Sequence, residues 1–401
     1  MGITMTVNLL DRFNFSKLLY EEMKSINPGI SVLENMEFCD ALENIIPEQG
    51  WDSILLDGMS EIECLVNSLE YYQSIQLKPH SGSKIVLDDS IIHLTRMLFV
   101  GLVTGAYPVD WINQHFYFDI RGFYFLHRTT YFTQAVMEHL GGEPYCRFEP
   151  RQNQFKCAEA IGYKEFKEAN VYLDQFFMDC VQKLATLQGK SVLLGIAGPT
   201  AAGKTEIVAR LLQRFKGAQK SVTTIEMDNF LKDRDYREAH GIDSLGREAL
   251  HLELFLSCLK DILAGEKITT PRYDFIAATS SHDLEGKLKS GGIPLMVEPA
   301  DIILIEGNFP FLLPEVADLV SIKVVYLTDD EIRLKRKWRR DMDYRKKYDQ
   351  AYHMNRYFRE QYLMAETVYI PQMEICDLVV DTTGGCIWVS QKTKQKLENR
   401  K

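Results

Sequence analysis

Apolar residues recur at i, i+3 and i+4 in DALENIIPEQGWDSILLDGMSEIECLVNSLEYYQSI and again in FKEANVYLDQFFMDCVQKLATL. That period marks amphipathic helices, so residues 1–187 are expected to form a mostly α-helical domain. Its most apolar run, MLFVGLVTGAYPV (Met97 to Val109), is too short to span a bilayer and ends in a proline turn. It predicts a buried core helix. Beside it lies an aromatic-rich stretch, WINQHFYFDIRGFYFLHRTTYF (Trp111 to Phe132). Core packing is the expected role, with a docking surface or a ligand-pocket wall as the alternative.

Near Leu187 to Ser191 the helical pattern stops at Gly189 and a different one begins. SVLLGIA, SVTTIEM, DIILIEG, SIKVVYL and DLVVD are short, nearly continuous apolar runs separated by helical or irregular segments. Strands of this kind suit a parallel sheet covered on both faces. Residues 188–390 are therefore expected to form an α/β domain, and the charged tail, 391–401, to fray.

Composition changes this picture little. The 401 residues are 46% hydrophobic and 25% charged, ordinary for a globular chain. A net charge of -10 and a pI near 5.5 argue against nucleic acid as the main partner. The eight cysteines (Cys39, Cys64, Cys146, Cys157, Cys180, Cys258, Cys376, Cys386) include no CxxC pair, so reduced thiols are expected rather than a zinc site or redox pair. The first residues, MGITMTVNLLDRFNF, lack a basic region followed by a long apolar one. No signal peptide or membrane partner is expected, and the chain reads as a cytosolic protein.

The chemistry concentrates in GPTAAGKT, Gly198 to Thr205, which satisfies G-x-x-x-x-G-K-[ST] between an apolar run and the amphipathic TEIVARLLQRF. Glycines at this spacing let backbone N–H groups curl round phosphates at a helix N-terminus. The cradle is expected to comprise Gly198, Pro199, Thr200, Ala201, Ala202, Gly203, Lys204, Thr205 and Glu206. Lys204 would reach the β- and γ-phosphates of ATP, and Thr205 would ligate Mg²⁺.

A phosphate loop alone does not name a reaction. Open α/β sheets bind ligands beyond their carboxyl edges, so the other strand ends matter. SVTTIEM delivers Asp228, a carboxylate able to accept the proton of an attacking hydroxyl, to help hold the metal, or simply to cap a helix. DIILIEG places Glu306 near its end, before Gly307; an acid there is costly to bury, which favours a metal-linked role. In EIRLKRKWRRD, Arg333, Arg336 and Arg340 stand at i, i+3 and i+7. One helix face would then carry three guanidinium groups, a lid over a transferring phosphoryl group.

The order of GPTAAGKT, EMDNFLKD, LAGEKITTPRYDF, VEPADIILIEGNF, RLKRKWRRD and YIPQMEICDLVVD, over about residues 191 to 383, resembles the uridine kinase and phosphoribulokinase family of P-loop kinases. The resemblance implies a P-loop kinase fold with a five-stranded parallel sheet flanked by helices. It also implies transfer of the ATP γ-phosphate to a small-molecule hydroxyl. Carried over, it makes Asp228 the general base and places Glu306, Thr205 and Asp228 around Mg²⁺. Tyr273, Asp274, Phe275, Asp243 and Arg333 would face the acceptor, and Lys204, Arg336 and Arg340 would serve catalysis. Three departures bear on the acceptor. Uridine kinases carry a histidine three residues after YDF, where this chain has Ala278, with His282 four further on. The family's FDHPDAFD-like segment reads GIDSLGREALHLELF, leaving Asp243 or Glu248 as the stand-in acid. The RG that often follows the lid arginines is replaced by YRKKY.

Two rival readings stand beside this one. GPTAAGKTE also resembles the P-loop of tRNA dimethylallyltransferases, although their DSMQVY-like segment is EMDNFLKD here. The other rival is an ATP-sensing regulator with a non-catalytic kinase-like domain, disfavoured by the presence of Asp228, Lys204, Thr205 and Glu306. The N-terminal helical half is a candidate for homo-oligomerisation, for capping the acceptor pocket or for a second activity.

Overall fold

The computed structural model describes residues 12–27, 30–31, 34–56, 89–119, 123–148, 168, 170–189, 191–340 and 364–399. The chain divides into two compact units between Thr129 and Thr130.

The first unit holds α1 (Arg12–Ile26), α2 (Asn35–Ala41), α3 (Asp89–Thr104), α4 (Val109–His115) and a hairpin of β1 (Phe116–Asp119) and β2 (Tyr124–His127). The helical pattern that begins at Asp40 gives way to two short 3-10 turns, Leu42–Asn44 and Trp51–Ser53, around Pro47 and Gly50. Its continuation through residues 57–75 lies outside the described residues. The apolar run from Met97 is the buried helix expected, ending at Thr104. The aromatic stretch is core over Phe116–Phe118 and Phe123–Phe125. Phe125 meets Phe99 at 5.5 Å and Phe123 meets Phe38 at 5.2 Å. Consecutive aromatics, buried on both sides of the pleat, favour extended strands, which is why this piece is a hairpin and not a helix. The end of the same stretch, Tyr131 and Phe132, belongs to the second unit.

That unit contains α5 (Gln134–His139), β3 (Cys146–Arg147), α6 (Val171–Gln188), β4 (Val192–Ala197), α7 (Lys204–Gly217), β5 (Val222–Glu226) and α8 (Leu252–Leu263). Small strands β6 (Ile268–Thr270), β7 (Tyr273–Asp274), β8 (Thr279–Ser280) and β9 (Leu295–Val297) follow. The chain continues through β10 (Ile302–Gly307), β11 (Ile322–Leu327), α9 (Asp330–Arg339), β12 (Leu378–Asp381), β13 (Cys386–Val389) and α10 (Gln391–Glu398). The main sheet has seven strands in the order β3-β13-β12-β11-β4-β10-β5. The five expected strands form its parallel part, and β13 and β3 extend it in antiparallel fashion.

Alternation along the parallel strands feeds two cores. Leu193, Ala197, Ile303, Ile305, Val325 and Val379 bury on one face. Leu194, Ile196, Leu304, Val324, Tyr326 and Leu378 bury on the other, with Leu173, Phe177, Val181 and Leu184 of α6. Because α6 covers that second face, it belongs with the sheet. The expected boundary at residues 187–188 thus falls inside the second unit, between α6 and β4. The charged tail also differs from expectation. Ser390 caps α10 through the Thr393 amide, and Leu397 packs into the core under α6. Two inward positions four apart suffice to hold a helix that is otherwise polar.

Burial of His251, just before α8, pushes its imidazole down to about 4, helped by the charges of Lys232 and His282. An unfolded histidine titrates near 6.5. Between those values the unfolded chain binds a proton that the folded one refuses, so this stabilisation is present above about pH 6.5 and fades as the pH falls towards 4. Melting temperatures of wild type and His251→Gln should converge over that window, the wild type losing more.

No described helix is long and apolar enough to cross a membrane. The six described cysteines are free thiols.

Candidate active site

β4 ends at Ala197, and residues 198–203 lead into α7. Gly198 has φ +146°, and a Cβ there would stand 2.2 Å from the Tyr326 carbonyl oxygen on β11. Glycine alone lets the loop pass so close. Gly203, at φ +103°, turns the chain into the helix, whose first-turn N–H groups lack intrahelical partners. The buried Lys204 amine donates to the carbonyls of Gly198 (2.8 Å) and Pro199 (3.0 Å) and to Asn308 Oδ1 (3.0 Å). Burial pushes this ammonium down to about 8, against the opposing pull of Glu306 and Asp228. Glu206 follows in the first turn of α7, with Oε1 buried and without a partner among the described residues.

The neighbouring strand ends add acids. Thr205 Oγ1 donates to Glu306 Oε1 at 2.6 Å. Burial raises the Glu306 carboxyl to about 7, opposed by Lys204 and the Thr205 hydrogen bond. Glu226 pairs in register with Glu306 across β5 and β10, and burial and the Asp228 charge raise it too. Asp228 sits in a 3-10 turn, Met227–Phe230, directly after β5. The turn packs tightly because residue 307 is glycine: a Cβ there would meet Met227 Sδ at 2.6 Å.

These groups fit Mg²⁺-ATP. A hydroxyl and a carboxylate 2.6 Å apart are hard oxygen donors, and the loop at a helix N-terminus suits phosphates. Among the described residues, no three His, Cys, Asp or Glu side chains group closely enough to hold a metal alone. A shell completed by phosphate and water oxygens is what Mg²⁺ ordinarily takes.

On the expected acceptor side, the hairpin β7–β8 is tied to the chain that follows Asp228. Asn229 Oδ1 accepts from the Tyr273 amide (3.1 Å), and Asp233 Oδ1 accepts from the Ser280 amide (2.6 Å). Tyr273 is buried and its hydroxyl accepts from Arg237 Nη2 (3.2 Å), while Phe275 packs beside its ring at 5.2 Å. The exposed Asp274 carboxylate accepts the amides of Ile276 and Ala277, a turn-capping task that lowers its pKa. Asp243 likewise accepts from the Leu245 amide, and Glu248 is exposed. Ala278 adopts φ +58°, and His282 is buried with Nδ1 2.9 Å from Ser281 Oγ.

Arg333 and Arg336 of α9 and Arg340, which caps its C-terminal end, divide into two kinds. Arg336 Nη1 reaches the Ala201 carbonyl and Arg340 Nη2 reaches Thr200 Oγ1, both at 3.3 Å, so both meet the phosphate loop. Arg333 is fully buried instead. It donates to the carbonyls of Thr328 (3.0 Å) and Thr200 (3.3 Å), to the Tyr131 hydroxyl (3.0 Å) and to Asp330 Oδ1. The expected acceptor contact thus gives way to a packed, paired arginine. Asn308, Asn229, Thr328 and Tyr131 went unassigned in the sequence. Neutral hydrogen-bonding groups leave no charge pattern; only the place of Asn308, two residues past Glu306 in EGNF, offered a signal.

A model of the phosphoribulokinase / uridine kinase family matches residues 193–385. A uridine kinase of Leuconostoc citreum (strain KM20) is 30% identical over 159 residues, covering 39% of this chain and 71% of the relative. The chain belongs to the phosphoribulokinase / uridine kinase family. A second relative, the uridine kinase of Bacillus mycoides (strain KBAB4), is 31% identical over 159 residues, 39% of this chain and 69% of its own. Among solved structures, one described as a possible uridine kinase from Bacillus stearothermophilus aligns with 43% of this chain and 92% of that one, at 22% identity and a TM-score of 0.31. The family match begins at β4 and so excludes residues 130–148 and α6 of the same compact unit.

Proposed function

We propose that the protein is an ATP-dependent phosphotransferase acting on a hydroxyl of a small molecule. The observation that carries this reading is the meeting of Lys204, Thr205, Glu306 and Asp228 at adjoining strand ends beside a complete phosphate loop. Mg²⁺, held through Thr205 and Glu306, would neutralise phosphate charge. Lys204 carries its proton at neutral pH and supplies positive charge at the loop. Asp228 accepts the proton of the attacking hydroxyl as its oxygen bonds to the γ-phosphorus and ADP departs. Arg336 and Arg340 stand at Ala201 and Thr200 to offset charge on the transferring group.

Ala278 replaces the family histidine, and the histidine that follows in sequence, His282, places its Nδ1 2.9 Å from Ser281 Oγ. The acceptor is therefore a ribosyl compound, a sugar phosphate or a small alcohol in preference to uridine. The test is incubation with Mg²⁺-ATP and a pooled set of nucleosides, pentose phosphates and polyols. ADP release with a gain of one phosphoryl group on a single acceptor is expected. Phosphorylated uridine would overturn the acceptor reading. ATP binding without acceptor-dependent turnover would favour the regulator.

A further inference from the structure

We infer that Tyr131, which lies outside the family-matched residues 193–385, is a positioning residue for the phosphate-binding loop and the arginines of α9; this rests on the kinase reading above. Its hydroxyl donates to Asp330 Oδ1 at 3.2 Å and accepts from Arg333 Nη2 at 3.0 Å. A phenol can do both at once. The same guanidinium extends Nη1 to the Thr200 carbonyl in the loop and Nε to the Thr328 carbonyl. Thr328 Oγ1 in turn donates to the Ala202 carbonyl at 2.8 Å. One hydroxyl therefore stands at the outer end of a hydrogen-bonded chain that reaches the loop at Thr200 and Ala202.

The tyrosine is itself held in place. Its ring is buried and meets Tyr369 at 6.4 Å. Phe132 packs on Trp388 at 5.0 Å, and Thr133 caps α5 through the Val136 amide. His139 Nε2 lies 2.6 Å from the Cys376 carbonyl oxygen, and β3 pairs with β13. Residues 131–147 thus form a strap across the kinase unit, and Tyr131 is where the strap meets the loop.

A buried guanidinium keeps the orientation that its acceptors dictate. Without the Tyr131 hydroxyl, Nη2 loses an acceptor and Asp330 a donor, so Arg333 no longer holds the Thr200 carbonyl in one position. Arg336 and Arg340 bond to Ala201 and Thr200, so the slack passes to them.

The experiment compares Tyr131→Phe with Phe132→Leu in the full chain. The readouts are the Kd for a non-hydrolysable Mg²⁺-ATP analogue by calorimetry and the melting temperature. Tyr131→Phe should weaken analogue binding about tenfold, roughly 1.4 kcal/mol at 25 °C, with a melting temperature lowered no more than in Phe132→Leu. Phe132→Leu loses packing on the same strap and should lower the melting temperature with Kd unchanged. Analogue binding by Tyr131→Phe within twofold of wild type overturns the inference. So does a loss that tracks melting temperature alike in both variants. A wild type unable to bind the analogue would instead overturn the kinase reading, and this inference with it.

Discussion

Asp228→Asn is expected to lower acceptor-dependent ATP turnover by about 10²–10⁴-fold, with the affinity for Mg²⁺-ATP within a few-fold of wild type. Asparagine keeps the size and the place in the turn after β5 but cannot take a proton. Binding should survive because the contacts built for phosphate belong to other groups: the loop glycines, the Lys204 amine and the first turn of α7. Removing the Asp228 charge also removes a repulsion that raises Glu306 and Glu226, so both acids should ionise more readily in the variant. Glu226 is the control. It lies in register with Glu306 and is the next acid available, so Glu226→Gln should cost far less turnover. Paired measurements of initial rate and analogue Kd check the split. Near-wild-type turnover by Asp228→Asn would move the base elsewhere, with Glu226 the first place to look.

Arg333→Met should destabilise the protein by about 3–5 kcal/mol, the range for removing one member of a buried ion pair. The arginine has no solvent exposure and Asp330 only 2%. Methionine fills much of the volume but offers nothing to the Thr328 and Thr200 carbonyls, and it leaves the Asp330 carboxylate without its guanidinium. Arg333→Lys should also be costly, because an ammonium on a flexible stem cannot reproduce a fork aimed at several acceptors. Arg336→Met and Arg340→Met provide the contrast. Both side chains are half-buried, so each should slow turnover while leaving the urea unfolding midpoint near the wild-type value. A midpoint shift for Arg333→Met no larger than for those two would show that the buried arrangement contributes little to stability.

The three arginines illustrate how far a linear pattern reaches. Spacing of i, i+3 and i+7 puts them on one side of α9, and all three do meet the phosphate loop. Spacing does not say how deep each sits. That depends on what covers the helix start, and the cover includes Tyr131, two hundred and two positions earlier in the chain. The acids behave similarly. The pattern singled out Asp228 and Glu306 because an acid at the end of an apolar strand conflicts with burial unless something offsets it. Asp274 and Asp243 accept the backbone amides of their own turns, a task that a carboxylate near a turn takes as readily as a ligand contact and that spacing alone does not reveal.

By itself the sequence determined the local elements and which residues stand at their ends. These include the five parallel strands, the loop from Gly198 to Thr205 and the acids at strand ends. Hydrophobic period and glycine spacing act over a few residues, where the chain has little choice. Tertiary structure decided what depends on contacts between distant segments. It split the aromatic stretch between two units, enlisted α6 and residues 130–148 in the kinase unit, pinned the polar tail as a helix and buried Arg333. Each of those outcomes follows from which apolar face finds a partner, and that is settled only when the whole sheet assembles.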